Sequence, residues 1–153
     1  MTIPNRKCTG AGSDFSCAGY RRREFLRIMG LGSLGLAASS YEHHGPKGHL
    51  GFAPRITPKN FRAPFTTSES WGTFSQTITA GQQIAEVHLK SGRLRLKTLA
   101  LAFPANAKPS TVTATCDGAS LACTPQFTGE RLTVSFRPDV TLTENQKLTI
   151  RLT

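Results

Sequence analysis

The sequence predicts an all-β fold, a small antiparallel β-sandwich preceded by a signal segment and a linker. Beyond residue 48, apolar and polar residues mostly alternate, which is the period of strands with one buried and one solvated face. Turn-forming pairs such as Ser91-Gly92 and Asp117-Gly118 separate the alternating stretches. No long helical periodicity occurs there, so a series of short strands separated by turns indicates a sandwich.

The alternation predicts nine short strands. They cover residues 49–53, 60–66, 72–78, 83–90, 93–103, 111–116, 121–127, 131–137 and 146–152. In the eighth, Leu132, Val134 and Phe136 share one parity, so the three side chains should point into the core together.

One predicted strand changes phase part-way. Leu94 and Leu96 share one parity, whereas Leu99, Leu101 and Phe103 share the other. A β-bulge near Thr98 would keep both sets on one face. Alternatively, the strand crosses from one sheet to the other at that point.

A basic cluster near the N-terminus precedes a short apolar stretch. Residues 28–38 are apolar and diluted by glycine, and they follow four arginines at positions 21, 22, 23 and 27. A membrane-spanning helix needs about 20 apolar residues, so this stretch is too short to span. A positive region followed by a short apolar segment is typical of a targeting signal, with a basic surface helix as the alternative.

The arginine cluster resembles the bacterial twin-arginine export motif, in which two arginines, any residue, Phe, Leu and a basic residue follow one another. The matching positions are Arg22, Arg23, Phe25, Leu26 and Arg27. The resemblance implies the twin-arginine translocase as a partner and contact with a membrane only during export. It also implies that the protein is exported to the periplasm or the cell envelope.

These features divide the chain into three parts. Residues 1–40 form the signal region, residues 41–48 form a linker, and residues 49–153 form the β domain. Gly45, Pro46 and Gly48 are expected to keep the linker free of regular structure.

The chain has a net charge of +10, which raises the question of a nucleic-acid partner. The β domain, however, holds twelve Lys and Arg against six acidic residues, spread thinly along it. It shows no nucleic-acid-binding signature and no glycine-rich nucleotide loop. We therefore expect no nucleic acid as partner and no cofactor.

Three motifs in the first half of the β domain resemble the C-terminal tail of bacterial family 116 glycoside hydrolases, which are relatives of non-lysosomal glucosylceramidase. They are Gly51-Phe52-Ala53-Pro54-Arg55-Ile56, Asn60-Phe61-Arg62-Ala63-Pro64-Phe65 and Trp71-Gly72-Thr73-Phe74-Ser75-Gln76, followed by the basic and apolar stretch 91–99. Members of that family hold their catalytic carboxylates in an (α/α) barrel. This sequence has no stretch onto which the barrel maps, so the resemblance implies a related module without the catalytic middle.

Hydrolysis of glycosides requires two carboxylates about 5–5.5 Å or 6.5–9.5 Å apart. Four of the six acids of the domain, Asp117, Glu130, Asp139 and Glu144, are at predicted turns, and Glu86 is on an outward strand face. Only Glu69 has an aromatic neighbour, Trp71, that could stack on a sugar. We therefore assign no catalytic residue and take Trp71 and Glu69 as possible carbohydrate contacts.

Trp71 itself has two interpretations. Aromatic side chains usually dominate cores, and this favours Trp71 as the anchor of the sandwich. The alternative is a sugar-stacking platform on the surface.

The cysteine and histidine pairs leave further alternatives open. Cys116 and Cys123 bracket an Asp-Gly turn, so they could form a disulfide across a hairpin, remain two free thiols or contribute to a metal site. His43, His44 and His49 are close in sequence but come from the flexible linker, so we assign no metal ligand there.

The sequence thus favours an exported, non-catalytic accessory or remnant β domain. Its partner would be a glycan or a separately encoded catalytic domain. The alternative is a carbohydrate- or envelope-binding module that uses Trp71 and the face of Arg93, Arg95 and Lys97. A glycosidase that acts alone is the third hypothesis.

Overall fold

A computed structural model describes residues 39–104 and 110–153. The signal-motif residues Arg22, Arg23, Phe25, Leu26 and Arg27 lie outside the described residues. The strands are β1 Glu42–His44, β2 His49–Phe52, β3 Asn60–Thr66, β4 Ser70–Thr79, β5 Gln82–Gly92, β6 Leu94–Ala102, β7 Val112–Cys116, β8 Ala119–Leu121, β9 Cys123–Thr128, β10 Arg131–Leu142 and β11 Lys147–Leu152. A single 3₁₀ turn, Gly45–Lys47, stands between β1 and β2 among these elements.

The strands form two sheets, which confirms the predicted all-β fold. The five-stranded sheet A has the order β1-β2-β6-β10-β9, and the six-stranded sheet B has the order β3-β4-β5-β11-β7-β8. All pairings are antiparallel except that between β2 and β6. The chain changes sheet several times, and the change from β5 to β6 takes a single residue, Arg93.

The core contains the inward parity of both sheets. Leu132, Val134 and Phe136 of β10 are all at most 1% exposed, which confirms that they point inward together. Phe74 of β4 stacks on Phe52 of β2 with ring centroids 3.9 Å apart. Apolar side chains from both sheets therefore share one continuous core.

Of the two explanations for the change of phase near Thr98, the structure shows the β-bulge, since β6 stays in sheet A along its whole length. The backbone N–H groups of Lys97 and Thr98 both donate to the Gly48 carbonyl oxygen, at 2.8 and 3.1 Å. Two residues of β6 thus oppose one residue of its neighbour, which is the definition of a β-bulge. The extra residue returns Leu96 and Leu99 to the same buried face.

The linker predicted at residues 41–48 is wrong. Residues 42–44 pair with β2 as a strand, and the following Gly-Pro-Lys-Gly segment makes the tight reversal between β1 and β2. Gly48 takes a φ of +59°, a backbone conformation that glycine adopts without strain. Glycine and proline here end a strand rather than prevent one.

Two other predicted boundaries also differ. The predicted strand 121–127 divides into the end of β8 in sheet B and most of β9 in sheet A, because the chain changes sheet at Ala122. The predicted turn at Pro138-Asp139 lies inside β10, where the register against β6 shifts between Ser135 and Val140. An irregularity within one long strand thus takes the place of a turn.

Candidate binding site at a corner of the sandwich

Glu69 lines one depression of about 400 Å³ together with Arg93 and Arg95, which are distant from it in sequence. The other lining residues are His43, Gly45, Pro46, Thr67, Ser68 and Leu94. Three parts of the chain therefore converge there: β1 with its 3₁₀ turn, the β3–β4 turn, and the corner between β5 and β6. The volume lies at the lower end of the range for small-molecule sites, about 300–1,000 Å³.

The corner between β5 and β6 depends on Gly92. Its φ is +88°, and a Cβ at this position would overlap the Glu69 carbonyl oxygen. The β3–β4 turn can therefore pack directly against the corner only because residue 92 has no side chain. This close approach places Glu69 beside Arg93.

The β3–β4 turn is held by its own hydroxyl groups. The Thr67 Oγ1 atom accepts hydrogen bonds from the backbone N–H groups of Glu69 and Ser70, at 3.3 and 3.0 Å. The Thr67 backbone N–H in turn donates to the Ser70 carbonyl oxygen at 2.7 Å. Such side-chain to backbone bonds fix a turn locally, so Ser68 and Glu69 are presented on a rigid backbone.

The opposite wall is His43, on the strand that the sequence assigned to a linker. Its ring stacks on Tyr41 at a centroid distance of 6.4 Å, and the Tyr41 hydroxyl donates to the Thr66 carbonyl oxygen at 2.6 Å. Burial, together with the neighbouring His44 and His49, lowers the pKa of His43. His43 is therefore neutral at pH 7, with one ring nitrogen as donor and the other as acceptor.

Arg95 connects the two walls. Its Nη2 atom donates to the Pro46 carbonyl oxygen at 3.2 Å, which holds the 3₁₀ turn against β6. A guanidinium has five N–H donors, so Arg95 keeps further donors for a ligand after making this bond. Arg93 and Arg95 are both exposed and both line the depression, one on each side of the buried Leu94.

Trp71 is not a core residue, so the favoured interpretation of it is wrong. It is half-buried, and its neighbours of the opposite parity, Gly72, Phe74 and Gln76, are the buried ones. A Cβ on Gly72 would overlap the His88 carbonyl oxygen and crowd the Phe65 ring, so only glycine fits the inward position beside Trp71. The indole therefore belongs to the outer face of sheet B, and it does not line the depression that Glu69 lines.

Arg93, Arg95 and Lys97, the basic residues that the sequence grouped with Trp71, do not share a face with it. Arg95 and Lys97 are exposed on β6 of sheet A, whereas Trp71 is on β4 of sheet B. Only Arg93 and Arg95 of that group reach the depression. The combined surface of Trp71 with Arg93, Arg95 and Lys97 is therefore not a single binding face.

A smaller depression of about 160 Å³ brings two carboxylates, Glu42 and Glu130, to one place. Glu42 accepts hydrogen bonds from both terminal nitrogens of Arg131, and this interaction lowers the pKa of Glu42. A glycosidase needs one carboxyl group that is protonated near neutral pH and one that is free to attack or to activate water. Glu42 is ionised and held by Arg131, so it suits neither role.

Cys116 and Cys123 are free thiols. The cross-strand partner of Cys116 in its hairpin is Ala119, and Cys123 belongs to β9 in the other sheet. Of the three alternatives for this pair, the structure therefore shows two free thiols. Burial raises the pKa of both thiols, which favours their protonated form.

Within the part of the chain that the structure describes, no group of three His, Cys, Asp or Glu side chains could hold a metal ion. His49 instead contacts Thr98 Oγ1 through Nδ1 at 2.8 Å. Nor do the described residues include a helix long and apolar enough to cross a membrane.

Comparison of the sequence with protein-family models gave no match, and no curated protein matched it either. The interpretation of the corner depression as a binding site therefore depends on the geometry of this chain alone.

His43, Ser68 and the Glu42–Arg131 pair were missed by sequence reasoning. A signal in the sequence could have revealed His43, because a short segment with Gly and Pro between two runs of strand-forming residues is also typical of a hairpin. Read in that way, residues 41–52 predict two paired strands, with His43 on the first. The contact of Glu42 with Arg131 spans 89 residues and has no local signal.

Proposed function

We propose that this chain is an exported, non-catalytic accessory module that binds carbohydrate, related to the C-terminal part of family 116 glycoside hydrolases. The observation that carries the proposal is the corner depression, in which Glu69, Ser68, Arg93 and Arg95 surround a space of about 400 Å³.

The chemistry of these groups suits a polyhydroxylated ligand. Each sugar hydroxyl is both a donor and an acceptor, so its recognition needs both kinds of partner. The Glu69 carboxylate supplies acceptors, the two guanidiniums supply donors, and the Ser68 hydroxyl supplies either. The rigid β3–β4 turn reduces the entropy that is lost on binding.

The non-catalytic part of the proposal rests on the carboxylates. Among the residues that the structure describes, Glu69 is the only acidic one that lines the corner depression. In the second depression, the Glu42 carboxylate already accepts hydrogen bonds from Arg131. Neither place offers the free pair that glycoside hydrolysis requires.

Export and origin rest on the sequence. The twin-arginine motif supports a periplasmic or envelope location. The resemblance to a glycosidase tail supports a glycan or a separately encoded catalytic domain as the partner. A remnant of a larger enzyme would share the fold and lack binding, so a binding experiment distinguishes the two.

The single tryptophan provides a direct test. Trp71 and Glu69 are two residues apart, and Trp71 pairs with Ser91 next to the corner glycine, so occupancy of the depression should change its fluorescence. We expect at least one member of a glycan panel to bind, and Glu69→Gln to weaken that binding by about tenfold, the loss of one charged hydrogen bond. Asp139→Asn, an exposed change on β10, should leave the affinity unchanged. If no glycan binds in fluorescence or calorimetry, the proposal is overturned.

A further inference from the structure

We propose that the corner depression selects acidic sugars, with the carboxylate of a uronic acid residue held by Arg93 and Arg95 and its hydroxyls held by Glu69 and Ser68. This inference rests on the proposed function, because it names the class of carbohydrate that the same site takes. It depends on the charges and hydrogen-bonding groups that the fold brings together there.

The charges that line the depression favour an anion. Two guanidiniums and one carboxylate line it, so it carries a net positive charge when His43 is neutral. A neutral glycan gains no attraction from that excess. A ligand with one negative charge neutralises it.

The geometry favours a carboxylate as the anionic group. Arg95 is anchored through Nη2 to the Pro46 carbonyl oxygen, so its planar guanidinium loses less freedom when a ligand binds. Guanidinium and carboxylate groups match in shape and form pairs of parallel hydrogen bonds. Arg93, two positions earlier, provides a second such partner.

Glu69 makes the selection more specific. A ligand that carries carboxylates alone would bring negative charge against Glu69 and would be repelled. A ligand that carries hydroxyls as well can donate them to Glu69 while its carboxylate binds the arginines. The set of one acid and two arginines therefore fits a molecule with a single carboxylate and several hydroxyls, which is the chemistry of a uronic acid residue.

The test compares two ligands that differ in the one carboxylate that the proposal invokes. Full-length protein is titrated with the methyl glycoside of galacturonic acid and with the methyl ester of that glycoside, and binding is followed by tryptophan fluorescence and by calorimetry. We expect the ester to bind about 10- to 100-fold more weakly, because a charged hydrogen-bonded pair is lost while the hydroxyls remain. Raising the salt concentration should weaken the acid more than the ester.

Matched variants separate the site from net charge. Arg95→Gln and Arg93→Gln should each weaken the acid by about tenfold or more and leave the ester nearly unchanged. Arg151→Gln removes the same charge from an exposed position on β11 and should leave both affinities unchanged. Circular dichroism of each variant checks that the fold is intact, because Arg95 also bonds to the Pro46 carbonyl oxygen of the 3₁₀ turn.

The outcomes separate the two proposals. If the ester or a neutral glycan binds as tightly as the acid, selection for acidic sugars is wrong and carbohydrate binding stands. An equal loss in Arg151→Gln and Arg95→Gln would show a general charge effect and would also overturn the inference. If no glycan of any charge binds, both proposals fail.

Discussion

Glu42 on β1 accepts hydrogen bonds from the Arg131 guanidinium on β10, 89 residues further along the chain. His49 on β2 approaches the same carboxylate at 3.5 Å. The pair lies over Gly51, where even a Cβ would come within 3.2 Å of Glu42. One carboxylate thus connects the first two strands to the far side of sheet A, and it holds in place the strand that carries His43.

This interaction predicts how stability depends on pH. Arg131 lowers the pKa of Glu42 in the folded protein, whereas in the unfolded chain the carboxyl regains its ordinary value near 4.5. The stabilisation is therefore complete above that value and is lost as the pH falls through the lower folded pKa. We expect the urea midpoint to fall between pH 5 and pH 3, and to fall less in Glu42→Gln. Both curves are measured by circular dichroism.

The comparison needs a control at a second carboxyl group. Asp139→Asn changes an exposed carboxyl on β10 that does not line the depression of Glu42 and Arg131, and its pH curve should match that of the parent. If Glu42→Gln also gave the parent curve, Glu42 would not be the group responsible.

At the scale of the elements, two turn glycines allow a controlled comparison. Gly81 and Gly92 both have positive φ, +80° and +88°, but a Cβ meets nothing within 4 Å at Gly81 and overlaps the β3–β4 turn at Gly92. Gly81→Ala should cost only the backbone strain, about 1–2 kcal/mol. Gly92→Ala should cost about 1–3 kcal/mol more through overpacking. Chemical denaturation of both variants measures the difference, and equal losses would show that the turn does not press on the corner.

The strands show which features of an element the sequence could predict. Strand parity is local, so the inward set of β10 and the change of phase near Thr98 followed from the pattern alone, whereas the choice between a bulge and a crossing between sheets did not. Parity does not say which of two faces is buried. At Trp71 the larger side chain suggested the wrong face, because the deciding contact of Gly72 with Phe65 and the His88 carbonyl comes from neighbouring strands.

The candidate site was harder to predict for a related reason. Glu69, Arg93 and Arg95 were identified from composition and position, but His43 was assigned to a linker. The depression exists only because the β5–β6 corner lacks a side chain at Gly92, which lets the β3–β4 turn approach. That approach depends on the register of β4 against β5 within sheet B, where Ser70 pairs with Gly92 beside a register shift at Trp71, and the strand pattern did not predict this register.

At the scale of the whole molecule, the two free thiols bear on the proposed export. The periplasm is an oxidising compartment, where reactive thiols form disulfides. Burial raises the pKa of Cys116 and Cys123 and so reduces the fraction of thiolate, which is the reactive form. The half-buried thiols are therefore compatible with such a compartment without a disulfide between them.

Export itself gives the last prediction. Changing both Arg22 and Arg23 to Lys should leave a reporter fusion in the cytoplasm, because the resembled translocase reads the arginine pair and not its charge. The matched control changes Arg6 and Arg21 to Lys, two equally conservative substitutions outside the pair, and should export normally. Fractionation of periplasm and cytoplasm, with the reporter assayed in each, measures the outcome. Since the double lysine variant keeps the net charge of +10, a loss of export can be assigned to the motif and not to charge. Undiminished periplasmic reporter in that variant would show that residues 1–40 are not a twin-arginine signal, and the proposed location of the module would fall with it.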